Sequence, residues 1–355
     1  MNNTSHVIAN FLPKPWVRSP HIQSLVTSLF TKPLLAKPQL ALLQKNSQEL
    51  LIKTQSHGCL TANFHATASK KCLGVIVLLH GWEGSIESGY IVRTASYFIK
   101  HGFDVLRLNF RDHGSSHHLN HLPFNSVRLL EVEEAIRTAL LQLNKQQFHL
   151  IGFSLGGNFA LRLAQYYAGK STANKAQQPI ELLSVMSICP PIDTVQTSFD
   201  IENGPRLYHQ YFVKRWHRSL KQKYRYYPEL IRQVDDLYTD KTFQKKPSLN
   251  QMNAIFVPLH TPFNEVNHYL NAYQITQSTL NAIKQPCVII YAEDDPIIKA
   301  SQYASLNPTH WVTIAPQAYG GHCGFINSLK MDNWLDGVLL QLVKDIQQKN
   351  SESLA

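Results

Sequence analysis

Phe148-His149-Leu150-Ile151, Gly152-Phe153-Ser154-Leu155-Gly156-Gly157 and Asn158-Phe159-Ala160-Leu161-Arg162-Leu163-Ala164 follow one another without a gap. The first run is apolar and reads as a strand, and the last has helical periodicity. A serine between them is presented at a strand-to-helix turn. Glycines two residues before and after it leave room for a backbone bend, so its hydroxyl projects from the tip while the following amides begin a helix. Glycine-flanked serines also occur in ordinary turns; a strand before and a helix after make this the setting of a nucleophile.

A serine hydroxyl needs a base, an orienting carboxylate and amide donors for the oxyanion that develops on attack. The chain supplies candidates in order. Pro286-Cys287-Val288-Ile289-Ile290-Tyr291-Ala292 reads as a buried strand ending in Glu293-Asp294-Asp295-Pro296, which leaves the acid open between Asp294 and Asp295. Trp311-Val312-Thr313-Ile314-Ala315 forms a further strand, followed by Gly320-Gly321-His322-Cys323-Gly324-Phe325 with a glycine-flanked histidine. Serine, acid and histidine in this order give the chain order of an α/β-hydrolase triad. Upstream, Gly74-Val75-Ile76-Val77-Leu78-Leu79 runs into His80-Gly81-Trp82-Glu83-Gly84-Ser85. The amide of Trp82 is the expected oxyanion donor there, with the amide of Leu155.

Around these motifs strand and helix alternate from Val75 to Ile188, preceded by a hairpin of residues 49–54 and 60–66 turning at Ser56-His57-Gly58. Alternation of this kind predicts an α/β fold with a mostly parallel sheet and helices on both faces. The last helix carries Trp334, Leu335, Val338, Leu342 and Ile346 as a core face. Residues 1–48 read as an arm packing on the core and residues 49–355 as one domain. The alternation breaks at about residues 191–262, read as a helical lid insertion rich in aromatic and basic residues, among them Trp216, Lys214, Arg215, Arg218, Lys221 and Lys223. Those cations form either a solvated face over packed aromatics or a peripheral contact with an anionic membrane.

The chain resembles the YheT-like family of α/β-hydrolases over nearly its whole length. The resemblance rests on Pro20-His21-Ile22-Gln23-Ser24, His80-Gly81-Trp82-Glu83-Gly84-Ser85 and Asn109-Phe110-Arg111-Asp112-His113-Gly114-Ser115. It continues through Gly152 to Asn158, Asp235-Asp236-Leu237-Tyr238-Thr239, Asp294-Asp295-Pro296 and Gly320 to Phe325. It implies a Ser-Asp-His hydrolase acting on carboxylic esters, with Ser154 as nucleophile, Asp295 as acid and His322 as base. Phe124-Asn125-Ser126-Val127 departs from the family pattern, which bears on the pocket rather than on the triad.

The resulting expectation is a serine esterase cleaving a small-molecule acyl ester, of short to medium chain or of a lipid, through an acyl-enzyme. It needs no cofactor and no metal. The alternatives are an acyltransferase or thioesterase using the same triad and, from another class, a non-catalytic binding module. His113, His117, His118 and His121 have no metal-ligand spacing. The formal charge of +10 favours anionic partners, but no nucleic-acid-binding signature accompanies it. Residues 1–16 lack a secretory apolar run, and the five cysteines form no close-spaced pair. The expected location is the cytoplasm, with free thiols.

Overall fold

The computed structural model describes residues 8–27, 43, 47–55, 58–173, 180–230, 247–328 and 333–354. Eight strands form one sheet in the order β1-β2-β4-β3-β5-β6-β7-β8. They are β1 (Ser47–Lys53), β2 (Cys59–His65), β3 (Val75–Leu79), β4 (Asp104–Leu108), β5 (Gln147–Phe153), β6 (Glu181–Ile188), β7 (Cys287–Ala292) and β8 (Val312–Gln317). The β1–β2 and β2–β4 pairs are antiparallel, and all pairs from β4 to β8 are parallel. Residues 56 and 57, in the expected hairpin turn, lie outside the described residues.

All five residues of β3 are buried, as a strand covered on both faces requires. Because successive side chains point to opposite faces, Val75, Val77 and Leu79 enter one core while Ile76 and Leu78 enter the other. The second core is closed by α2 (Gly89–Lys100), through Ile91, Ala95 and Phe98, and by the C-terminal helix Trp334–Leu354, through Leu335, Leu339, Leu342, Val343 and Ile346. The first packs against α3 (Leu129–Gln142) and α4 (Leu155–Ala173). The arm contributes α1 (Pro20–Leu25) and a buried Phe11, whose ring lies 5.7 Å from Phe325.

Between β6 and β7 the chain leaves the sheet as α5 (Thr194–Asn203), α6 (Arg206–Tyr226), α7 (Leu249–His260), α8 (Val266–Asn271) and α9 (Gln277–Ala282). The helical run thus continues beyond Pro262, with α8 and α9 preceding the return to the sheet. Asp193 and Ser248 cap α5 and α7 by accepting the amides of Gln196 and Gln251. On α6, Tyr208, Phe212, Trp216, Leu220 and Tyr224 are buried, whereas Lys214, Arg218, Lys221 and Arg225 are exposed. Lys223 departs from the basic face on which the sequence placed it. Its side chain is 1 % exposed and its Nζ donates to Asp112 Oδ1 at 2.9 Å and to the carbonyls of His117 and Asn120. An aliphatic stem long enough to cross the aromatic layer, with an acid waiting below, buries this lysine. The 235–239 run lies outside the described residues. Among the described residues no helix is long and apolar enough to cross a membrane.

Candidate active site

The strand ends on which the site stands leave no room for side chains beside Ser154. A Cβ on Gly152 would lie 2.1 Å from the Gly156 carbonyl oxygen, and one on Gly156 would lie 2.4 Å from that of Leu79. Ser154 itself takes φ +53°, a left-handed conformation that costs a non-glycine residue on the order of 1–3 kcal/mol. The surroundings hold it there: its amide donates to the Ile188 carbonyl of β6 at 2.8 Å, and α4 starts at the next residue.

His322, in the loop after β8, places Nε2 2.9 Å from Ser154 Oγ and Nδ1 2.8 Å from Asp295 Oδ2. The other Asp295 oxygen accepts the amides of Ile297 and Ile298 at 2.8 and 3.0 Å, which fixes the carboxylate. Between the two adjacent aspartates, it is therefore Asp295 that meets the imidazole. Asp294 Oδ1 accepts the amide of Gly321 at 2.8 Å and so braces the turn before the histidine; burial raises its pKa. The His322 ring is subject to opposing effects. Burial disfavours its charge, but the Asp295 carboxylate, the neighbouring Cys323 and the Asp295 hydrogen bond together raise its pKa to about 9. Such a relay can draw the proton from a serine hydroxyl and hold the imidazolium that results.

The amides of Trp82 and Leu155 have no backbone acceptor among the described residues. Gly81 brings the Trp82 loop within 3.1 Å of Ser154 Cβ, measured from the Cβ position it lacks. Tyr90 Oη accepts the Gly81 amide at 2.9 Å, and Ser88 Oγ accepts that of Ser85, also at 2.9 Å. The insertion grips the same loop: Phe212 stacks on Trp82 at 5.5 Å, and Arg215 donates to the Glu83 carbonyl at 3.0 Å. His80 is fully buried and its Nε2 accepts the Phe110 amide at 3.2 Å; burial lowers its pKa to about 4, so it is neutral. Neither this ring nor the upstream histidine cluster joins the relay. His113 accepts the Glu83 amide, while His117 and His121 pair with Ser219 and Glu229 respectively.

Residues near the amino end complete the site in a way that spacing alone does not reveal. Ser24 Oγ accepts the amide of His322 at 2.8 Å, and the fully buried Gln23 bonds both the amide and the carbonyl of Ile326, at 2.9 and 3.0 Å. The arm thus holds both ends of the histidine loop. The signal for it was the Pro20-to-Ser24 run, which carried the resemblance but no assigned role. Phe124, Asn125 and Ser126, where the sequence departs from the family pattern, line a chamber beside Ser154.

The chain is 22 % identical to YheT of Escherichia coli (strain K12) over 347 residues, covering 92 % of this chain and 91 % of that protein. Among solved structures it is similar to the esterase PF2001 of Pyrococcus furiosus, with a TM-score of 0.56 and 16 % identity, covering 88 % of this chain and 94 % of the other. It is also similar to a proline iminopeptidase of Mycobacterium smegmatis, with a TM-score of 0.51 and 15 % identity, covering 85 % and 100 % of the two chains. An esterase and a peptidase on one scaffold show that the likeness concerns the fold. With residues 74–326 matched by its family model, the chain belongs to the alpha/beta hydrolase fold family.

Proposed function

We propose that this protein is a serine hydrolase that cleaves carboxylic esters through an acyl-enzyme intermediate. The observation that carries the reading is the continuous hydrogen-bonded relay from Ser154 through His322 to Asp295, beside two backbone amides that have no backbone acceptor among the described residues. In this reading Ser154 Oγ attacks the ester carbonyl as His322 Nε2 takes its proton. The amides of Trp82 and Leu155 receive the oxyanion, and His322 then protonates the departing alcohol. A water deprotonated by the same nitrogen releases the acid and regenerates the serine. Asp295 fixes the tautomer and stabilises the charged ring. The similarity to YheT, whose name marks it as a candidate esterase, agrees with this chemistry.

The test is turnover of p-nitrophenyl esters by the wild type and by Ser154→Ala. The wild type should hydrolyse them, and the variant should fall to background while melting at or slightly above the wild-type temperature. A variant that keeps wild-type turnover would remove Ser154 from the reaction. Product partition in the presence of added alcohols separates hydrolysis from acyl transfer.

A further inference from the structure

A chamber of about 110 Å³, lined by both Ser154 and His322, has in its wall a thiol that the ester chemistry does not use, that of Cys323. Behind it stands Cys189, the residue that follows β6. Both are buried free thiols, and the two Sγ atoms and a ring nitrogen of His322 all lie within 4.8 Å of one another. The backbones approach as closely. Cys323 Sγ donates to the Ile188 carbonyl at 3.7 Å and Cys189 Sγ to the Gly321 carbonyl at 3.9 Å. The same Ile188 carbonyl accepts the Ser154 amide, so the thiol pair joins the base of the serine turn to the histidine loop. The Cys189 amide donates to the Ile290 carbonyl of β7 at 2.8 Å, which ties that cysteine to the sheet, while Cys323 belongs to the loop.

The two thiols differ in character. Burial disfavours the charge on both. At Cys189 it prevails, with Cys323 adding to it, and the pKa rises well above its ordinary value. At Cys323 the hydrogen bond with the Cys189 thiol and the charge of the His322 ring outweigh burial, and the pKa falls. The thiolate is the reactive form, so the thiol that lines the chamber is the one that attacks first.

We propose that Cys323 and Cys189 form a dithiol modification site, which a small hydroperoxide entering the His322 chamber oxidises to a disulfide. The Cys323 sulfur takes the terminal peroxide oxygen as the O–O bond breaks, giving a sulfenic acid, and the other oxygen leaves as water or an alcohol after protonation. The Cys189 sulfur then displaces hydroxide from that sulfenic acid, and its own proton completes a second water. Two thiols have lost two electrons and the peroxide has gained them. The bond draws the sulfurs to about 2 Å, so the loop is pulled toward the sheet by about an ångström or more. His322, the neighbour of Cys323, moves with it and loses its alignment with Ser154. A misplacement of about 1 Å can cost on the order of a hundredfold in rate. This effect on turnover rests on the esterase reading; the bond itself does not.

The experiment treats reduced wild-type protein with hydrogen peroxide in the presence of a metal chelator, followed by alkylation and peptide mass mapping. The expected product is a linked Cys189–Cys323 peptide pair. Turnover of p-nitrophenyl esters should fall by about a hundredfold in step with the linked fraction, and dithiothreitol should restore both. In Cys189→Ala no linked pair forms, and Cys323 accumulates as a sulfenic acid that dimedone captures. Thiols at 189 and 323 that stay open to alkylation while the exposed Cys72 is oxidised would overturn the proposal. So would a sulfinic acid at Cys323 without a link, or a linked protein with unaltered turnover. A reduced wild type that turns over no ester, yet forms the link, would remove the esterase reading and leave the dithiol site in place. The wild-type mapping decides the matter even where the variant fails to fold.

Discussion

Ser154, Asp295 and His322 stand on the turns that follow β5, β7 and β8, where short hydrogen bonds and crowded glycines leave each side chain a single position. The chamber beside them is built differently. Phe212 and Trp216 of α6 pack on Trp82 at 5.5 and 5.4 Å, and Phe256 of α7 packs on Trp216 at 5.3 Å, with few directional bonds. On the proposed reading, platform and insertion divide the labour: the first fixes which reaction is possible, the second which molecule enters. Changes in the platform should lower the rate for every ester alike, whereas changes in the insertion should reorder the esters.

The largest expected effect is in the platform. Asp295→Asn should reduce kcat by as much as about ten-thousandfold, since the imidazole loses the acceptor that sets its tautomer and the charge that stabilises it. Asp294→Asn should stay within roughly tenfold, because one amide oxygen can still accept the Gly321 amide. Measuring kcat for both variants decides between the neighbours, and a larger loss at Asp294 would break the assignment of the acid.

Next comes the joint between the two regions. Lys223→Met leaves Asp112, whose pKa burial already raises to about 6, with the Phe124 amide as its remaining partner, and should cost up to about 3–5 kcal/mol of stability in denaturant titration. Adding Asp112→Asn should recover part of it. A Lys223→Met protein as stable as the wild type would show that the insertion is anchored by its aromatic face alone.

A third effect belongs to the insertion. Phe256→Leu widens the chamber beside Ser154 and should shift the preferred chain by one or two carbons, changing the kcat/KM ratio of adjacent chain lengths by about tenfold. Short esters should be cleaved at nearly the wild-type kcat. A uniform loss over all chain lengths would erase the distinction between the regions.

The pH profile sharpens the platform side. The base must be unprotonated to act, and Asp295 holds the His322 pKa above its ordinary 6.5. The rising limb of kcat/KM should therefore have a midpoint between 6.5 and about 9. In Asp295→Asn, with burial no longer opposed by the carboxylate, the residual activity should rise at lower pH. A limb that does not move would detach Asp295 from the base. The smallest expected change is Ser24→Ala, which leaves the His322 amide without its acceptor and should lower kcat a few-fold with no change in chain-length preference.

What could be read in the sequence follows the same division. Apolar runs each ending in glycine or acid expose strand ends directly, so the sheet, the serine turn and the histidine loop are local patterns. The choice between Asp294 and Asp295 required spatial information, or the family resemblance, because both stand past the same strand. Lys223 reads as one more surface cation until Asp112, more than a hundred residues away in the chain, is seen beneath it. Ser24 and Gln23 act 298 and 303 residues from their position, on His322 and Ile326, and no periodicity announces such a contact. The chamber is composite in the same sense, drawing Trp82, Phe124, Phe212 and Phe256 from four separate segments.

The central claim is that Ser154 is the activated nucleophile of this relay. Peptide mass mapping after incubation with a fluorophosphonate tests it directly. The account predicts a single phosphonyl adduct on Ser154, abolished in Ser154→Ala and strongly slowed in Asp295→Asn. An unmodified Ser154, or an adduct on another residue that persists in Ser154→Ala, would contradict it.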